Sequence, residues 1–379
     1  MERGELLRWL TEDRDEALRE LWLRADAVRR DTVGDEVHLR GLIEISNRCV
    51  RQCWYCGIRA GNAALTRYRM TADEVIEGAQ AAASLGYGTV VLQGGEDPGL
   101  TREWVSDVVA RIKADLPLSV ALSLGERSTR ELATWRRAGA DRYLLRFETS
   151  NAALFARIHP PGTDSAVRDR IGLLRELKDL GYEVGSGSMV GIPGQSIADI
   201  AEDILLYREL DLDMIGVGPF IPHPATPLGG TLALSGEGQA PATELMTYKV
   251  LALARVCCPR ANIPSTSALA TLNLREGREL GLMRGANVLM PNLTPLRYRV
   301  HYEIYPAKAC IRETAQQCHA CMQHRIRSIG RHIGHGAGSA TQRSFGAGVP
   351  APGRLPFAGS QHRHVPTLKP GPPRREKSS

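Results

Sequence analysis

Cys49, Cys53 and Cys56 are the residues of this chain whose type and spacing speak most directly of chemistry. They stand in the run Ser46-Asn47-Arg48-Cys49-Val50-Arg51-Gln52-Cys53-Trp54-Tyr55-Cys56-Gly57, a C-x3-C-x2-C spacing that follows an apolar strand. Thiolates packed this closely suit a soft metal ion or an iron–sulfur cluster. A cubane site usually has four protein ligands, so three leave one iron open to a small molecule. The competing assignments fit less well. Structural zinc calls for a fourth Cys or His, usually from a second pair, and no His lies between Cys49 and Cys56 or close on either side. A disulfide strands one thiol. Tyr55 before the third cysteine and Gly57 after it add to the cluster reading.

A second group, Cys310, Cys318 and Cys321, has C-x7-C-x2-C spacing. It suits a second iron–sulfur cluster, 2Fe-2S or 4Fe-4S, or a zinc ion completed by His319 or His324. Cys257 and Cys258 close a helical stretch before Pro259 and read as buried or incidental.

These cysteines need a scaffold, and the sequence outlines one. Strand-like runs fall at Val37–Ser46, Thr89–Gln93, Ser119–Ser123, Arg142–Glu148, Glu183–Met189, Met214–Val217, Asn262–Ser267 and Asn287–Met290. Helical periodicity occupies Ala72–Leu85, Arg102–Ala114, Arg130–Ala138, Ala166–Leu180, Ile197–Leu210, Ala242–Val256 and Arg275–Met283. Glycines after Leu85, Ala138 and Leu180 mark helix ends. Eight such units predict an α/β fold, a complete (β/α)8 TIM barrel, rather than a doubly wound sheet. Residues 1–34 are a separate N-terminal helical segment, 35–328 the barrel with the second cysteine group, and 329–379 a disordered Gly/Pro/Arg-rich tail.

In such a barrel the working residues lie at the C-terminal ends of strands. Alternation along the fourth strand sends Arg142, Leu144, Arg146 and Glu148 inward and Tyr143, Leu145 and Phe147 outward. Glu44, Ser46, Ser119, Ala121 and Ser123 also point inward, and Ser265, Thr266 and Ser267 add hydroxyls. The lumen is therefore expected to be polar and under-filled, a cavity for a polar ligand. Gln93-Gly94-Gly95-Glu96 ends the second strand, where glycines let backbone meet a ligand closely. Gly94, Gly95, Glu96, Ser123, Glu148, Arg170 and Met189 are the candidate cofactor contacts. Arg142, Arg146, Ser265, Thr266 and Ser267 are the candidate substrate contacts.

Bulk properties narrow the setting. The formal net charge of +6 is unevenly spread: residues 331–379 carry +7 and residues 1–330 carry −1. A neutral body argues against nucleic-acid binding. The last 49 residues hold eight Gly and seven Pro, a composition that buries too little surface to order itself. The N-terminus lacks a basic-then-apolar leader, and no apolar run approaches the roughly 18 residues of a membrane span. Clustered cysteines point to a reducing cytoplasm.

The chain also resembles a known family. The cysteine loop, Arg67-Tyr68-Arg69-Met70-Thr71, Gln93-Gly94-Gly95-Glu96-Asp97, Ser123-Leu124-Gly125-Glu126, Ala140-Asp141-Arg142-Tyr143-Leu144-Leu145-Arg146, Gly187-Ser188-Met189-Val190-Gly191-Ile192-Pro193-Gly194-Gln195 and Gly218-Pro219-Phe220-Ile221-Pro222-His223-Pro224 are together similar to HydE, the radical S-adenosylmethionine (SAM) maturase of FeFe-hydrogenase. The resemblance implies a 4Fe-4S cluster on Cys49, Cys53 and Cys56, SAM contacts from Glu148 and Arg170, and Arg146 in the cavity wall. It implies an accessory cluster on Cys310, Cys318 and Cys321. It also implies a small substrate, iron-containing or derived from sulfur or an amino acid, with other hydrogenase maturases and an electron donor as partners. Phe147 departs from the His of the family's Arg-His-Glu-Thr run; by parity it faces the helices. Methylornithine synthase, biotin synthase and a non-catalytic iron–sulfur scaffold are the rival readings.

Overall fold

In the computed structural model, residues 1–161, 169–230 and 238–340 are described. Most of the basic tail, and the start of the helix expected at Ala166, fall outside them. The strands are β1 (Glu36–Ser46), β2 (Thr89–Gly94), β3 (Ser119–Ser123), β4 (Arg142–Leu144), β5 (Glu183–Ser186), β6 (Met189–Val190), β7 (Met214–Ile215), β8 (Gly218–Pro219), β9 (Val288–Leu289) and β10 (His332–Ile333). β1, β2, β3, β4, β5 and β7 pair in that order, all parallel. Beyond β7 the ring continues through single bridges, Met214 with Asn262 and Pro264 with Val288. β9 then pairs with β1 and closes the circle. The eight-stranded parallel barrel read from the sequence is the fold observed.

The helices between the strands start and stop where local chemistry directs. Thr71 with Glu74, Ser128 with Glu131, and Ser196 with Asp199 form capping boxes. Gly86, Gly139 and Gly181 end their helices with positive φ, of 77°, 110° and 83°. The N-terminal helices Arg3–Thr11 and Asp15–Val33 pack on Ile197–Glu209 and Glu244–Cys257. Four helices among the described residues escaped the periodicity reading: Ala152–Ile158, Ser267–Leu272, the single turn Leu296–Arg299 and Ala315–Ser328.

Strand alternation holds. Leu39, Ile43 and Ile45 of β1 join Val90, Leu92, Val120, Leu122, Tyr143 and Phe147 in the core under the helices. Inward-facing Leu42, Val91 and Ala121 form a separate apolar girdle with Met290. Three expectations need correction. Regular pairing of the fourth and fifth strands stops at Leu144 and Ser186: the fourth turns at Glu148, which only bridges to Ser188, and the fifth resumes as β6, paired with β8. The seventh strand reaches only Pro264, since Thr266 caps the helix Ser267–Leu272.

The third correction concerns residues 329–340, assigned from sequence to the tail. They pass beneath the barrel instead. β10 pairs with β1, and residues 337–339 lie across the N-terminal ends of the strands. The Arg142 guanidinium donates to the Ala337 carbonyl and to Ser339 Oγ, each at 3.0 Å. Arg40 and Asn262 both donate to the Gly338 carbonyl, at 3.0 and 2.9 Å. Glycine makes this approach feasible: a Cβ on Gly88 would lie 1.8 Å from the Gly336 carbonyl oxygen. Buried guanidinium groups require acceptors, and this stretch supplies them from its backbone.

Candidate active site

The cysteine loop leaves the end of β1 and is held on three sides. Gly95 N–H donates to the Ser46 carbonyl at 2.9 Å, and Val50 N–H to the Glu96 carbonyl at 3.0 Å. Gly95 has to be glycine here, because a Cβ would sit 2.2 Å from the Arg48 carbonyl oxygen and 2.8 Å from the Cys49 Cβ. Behind the loop runs a charge chain. Arg51 pairs with Glu96 at 2.6 Å and with Glu126 at 2.8 Å. Glu126 accepts from Arg170 at 2.8 Å, and Arg170 also donates to the Arg146 carbonyl at 2.8 Å. The ends of β1, β2 and β3 are thereby tied to the helix Arg170–Asp179.

One cavity of about 350 Å³ opens beside the loop and runs down the lumen. Cys49, Cys53, Cys56, Gly94, Gly95, Glu96, Ser123, Arg146, Glu148, Arg170, Met189, Thr266 and Ser267 all line it, so most candidate residues converge on one space. Two do not. Arg142 lies at the base, engaged by Glu183, Thr89 and the segment beneath the barrel. Ser265 faces the helix Gly277–Met283, where its hydroxyl is 3.4 Å from the Gly277 carbonyl. The wall is also less polar than alternation suggests, with Leu42, Leu144, Met214, Val288 and Met290 between the charged groups. Glu96 lines the cavity, but its carboxylate is held by Arg51 and the Glu126 N–H, which makes it a buttress of the loop.

Glu148 is the strained residue of the site. Its φ is +65°, a left-handed conformation uncommon for a non-glycine residue, fixed by backbone bonds to Gly187 and Met189. This turn aims the carboxylate into the cavity. Glu148 Oε2 lies 3.2 Å from an Arg146 nitrogen, but the pair is misaligned as a hydrogen bond. Glu148 Oε2 and Arg146 Nε are both buried without a hydrogen-bond partner. An unengaged acceptor and donor side by side on a cavity wall fit a polar, zwitterionic ligand.

The donor set fits a cluster. All three thiols are substantially buried, and burial raises their pKa values, that of Cys53 to about 12. A metal charge is what would stabilise them as thiolates. The Arg51 N–H already points at Cys49 Sγ, 3.4 Å away.

Several contributors were not singled out from sequence. Lys308 pairs with Glu44 in the wall, and Asn292 donates to Glu44 at 3.0 Å. His159, 3% exposed, sits 2.9 Å from the Tyr55 hydroxyl through Nε2. Burial and the Arg170 charge hold its pKa far below the usual imidazole value. Only Arg51 carried a local signal, its place inside the cysteine motif.

The second cysteine group lies apart from this cavity wall. Cys318 and Cys321 are on the helix Ala315–Ser328 and Cys310 on the preceding loop, with φ of +63°. Cys310 is hydrogen-bonded to Cys318, which pulls the Cys310 thiol down. Arg278 reaches Cys310 Sγ and Arg325 reaches Cys321 Sγ, each at 3.4 Å. His319 is turned to the Tyr87 hydroxyl at 3.0 Å. Cys257 and Cys258 are half-buried at a helix end.

A parallel (β/α)8 barrel with three cysteines on the loop after its first strand and a ligand cavity beneath them defines a radical SAM enzyme. The Radical SAM superfamily matches residues 43–207. The [FeFe] hydrogenase maturase subunit HydE of Thermotoga maritima is 46% identical over 314 residues, which cover 83% of this chain and 86% of that protein, and the chain belongs to the HydE family. The 3-methylornithine synthase of Methanosarcina barkeri is more distant, 29% identical over 285 residues, 74% of this chain and 76% of that one. The crystal structure of methylornithine synthase (PylB) shares the fold, with a TM-score of 0.73 at 23% identity over 88% of this chain and 94% of that one. Among the described residues no helix is long and apolar enough to cross a membrane.

Proposed function

We propose that this protein cleaves SAM reductively and uses the resulting radical on a small substrate during assembly of the FeFe-hydrogenase iron site. The observation that carries this reading is the convergence of Cys49, Cys53, Cys56, Gly95, Glu148 and Arg146 on one cavity. Cys49, Cys53 and Cys56 would hold a 4Fe-4S cluster, which when bound supplies the electron that splits the sulfonium to methionine and a 5′-deoxyadenosyl radical.

The chain's own residues bind, orient and exclude water. Gly94 and Gly95 present backbone close to the cluster loop, suited to the methionyl amine. Glu148 offers a free carboxylate oxygen to hydroxyl or ammonium donors. Arg146, with its free Nε, offers a cation to an anionic substrate deeper in the cavity, where low dielectric strengthens the attraction. The apolar girdle of Leu42, Val91, Ala121 and Met290 keeps that depth poor in water. Cys310, Cys318 and Cys321 are proposed to hold an accessory cluster. The resemblance adds other hydrogenase maturases and an electron donor as partners, in a reducing cytoplasm.

The test is anaerobic reconstitution with iron and sulfide, then dithionite and SAM. The wild type is expected to yield 5′-deoxyadenosine and methionine, and Cys53→Ala to yield neither. Undiminished cleavage by Cys53→Ala overturns the assignment.

A further inference from the structure

Tyr55 is the residue between the second and third cysteines, and its hydroxyl has three acceptors in reach: His159, Glu148 and the Cys53 sulfur. His159 Nε2 is 2.9 Å away and Glu148 Oε1 is 3.4 Å away. A phenol has one proton, so it can serve only one of them. The choice is made on the far side of the imidazole. His159 Nδ1 lies 3.0 Å from the Phe155 carbonyl oxygen, which accepts and cannot donate. Nδ1 therefore carries the ring proton, and in a neutral imidazole Nε2 is then an acceptor only. The Tyr55 proton goes to His159. Glu148 Oε1 faces the lone pairs of the phenol oxygen, and Oε2 has no hydrogen-bond partner either.

The geometry points to His159 as a positioning residue for SAM binding. By taking the Tyr55 proton it keeps the Glu148 carboxylate open for donors from the ligand. Its ring placement is fixed by packing: His159 lies against Phe155 at 4.2 Å between centroids, the rings tilted by 35°, and meets Tyr55 edge-on at 5.4 Å. The Ile158 carbonyl, one residue earlier, accepts from Trp54 N–H at 2.9 Å, so the end of the helix Ala152–Ile158 is pinned to the cysteine loop itself. With the Cys53 sulfur committed to the cluster, loss of the acceptor at position 159 would turn the Tyr55 hydroxyl to Glu148, where it would occupy an oxygen that the ligand needs. This inference rests on the proposed reading of the cavity as a SAM site.

The test is a double-substitution cycle on the reconstituted holoenzyme, read by calorimetry of SAM binding. His159→Phe keeps the ring and removes the acceptor, and is expected to bind SAM about tenfold more weakly, the scale of one hydrogen bond to a charged group. Adding Tyr55→Phe removes the misdirected proton and should recover most of that loss relative to His159→Phe alone. His159→Gln, whose carboxamide oxygen can accept from Tyr55, should stay close to wild type. A merely structural histidine gives the opposite pattern, with losses that add and no recovery in the double variant, and that result overturns the proposal. Nitrogen-15 NMR of histidine-labelled apoprotein gives a second readout independent of the cluster. A His159 signal protonated at Nδ1 supports the argument, and one protonated at Nε2 ends it. If wild-type holoenzyme fails to bind SAM at all, the reading of the cavity falls and this inference with it. Normal wild-type binding with an additive cycle removes this inference alone.

Discussion

At the scale of single residues, Arg146 and Glu148 divide the cavity between two ligands. Both are inward by strand alternation, yet only Glu148 sits at the left-handed turn that lifts its carboxylate toward the cysteine loop. Glu148→Gln is expected to weaken SAM binding by about tenfold, because it removes a charged acceptor that nothing else replaces. Arg146→Leu is expected to leave SAM affinity within a few fold and to impair activation of apo-hydrogenase in a maturation mixture. Calorimetry and hydrogen evolution, measured on the same preparations, separate the two. Equal maturation by Arg146→Leu would make Arg146 structural. Much of this was legible beforehand, since cysteine spacing and period-two alternation are local signals. The Lys308–Glu44 pair and the His159–Tyr55 contact were not, because their partners lie 264 and 104 positions apart in the chain and neither Lys308 nor His159 carries a motif.

At the scale of elements, the strongest signals were caps and periodicity, and they failed where tertiary structure overrides both. Glu74 shows a cap doing a second task. It closes the capping box with Thr71 and also accepts from Arg297 at 2.6 Å and Tyr298 at 2.8 Å, so one carboxylate ties the helix Ala72–Ser84 to the segment following β9. Burial alone would raise its pKa. The Thr71 N–H, Arg297 and Tyr298 outweigh that and lower it from 4.5 to about 2. A depressed carboxyl stabilises the fold above its unfolded pKa and loses that contribution as pH falls towards the folded value. Glu74→Gln should therefore cost about 1 kcal/mol at pH 7. The gap to wild type should shrink as pH drops from about 5 towards 3, measured by urea titration. A gap independent of pH would show that packing, not charge, is what the substitution removes. The fourth strand, bent at Glu148, was misjudged in length because alternation continues past the point where backbone pairing stops, and the strand that reached only Pro264 because Thr266 already caps the next helix.

At the scale of the whole molecule, the ring of strands is sealed beneath by residues that composition alone assigned to a tail. Gly334, Gly336 and Gly338 look like the start of a disordered segment, but their carbonyl-rich backbone answers the buried Arg40 and Arg142. That need is invisible in a linear reading, because the arginines sit on β1 and β4. Ending the chain at Ile333 would leave those guanidinium groups, with Asn262 and Thr89, short of acceptors. The expected loss is about 3 kcal/mol, seen as a Tm lower by roughly 5–10 °C. A chain ending at Ala340 keeps each of these bonds and is the control. Equal Tm values for the two would mean that water replaces the segment without cost.

The same seal has a kinetic meaning. Among the described residues the floor of the lumen is stoppered by this segment, and the cavity opens beside the cysteine loop where SAM is proposed to sit. Whatever reacts deeper, near Arg146 and Met290, must enter before that opening is occupied and leave after it clears. Turnover should then follow a compulsory order, substrate first and SAM second. Mixing SAM with the enzyme beforehand should slow a single turnover, and mixing the deeper substrate beforehand should not. Equal rates in both orders would require a second way in.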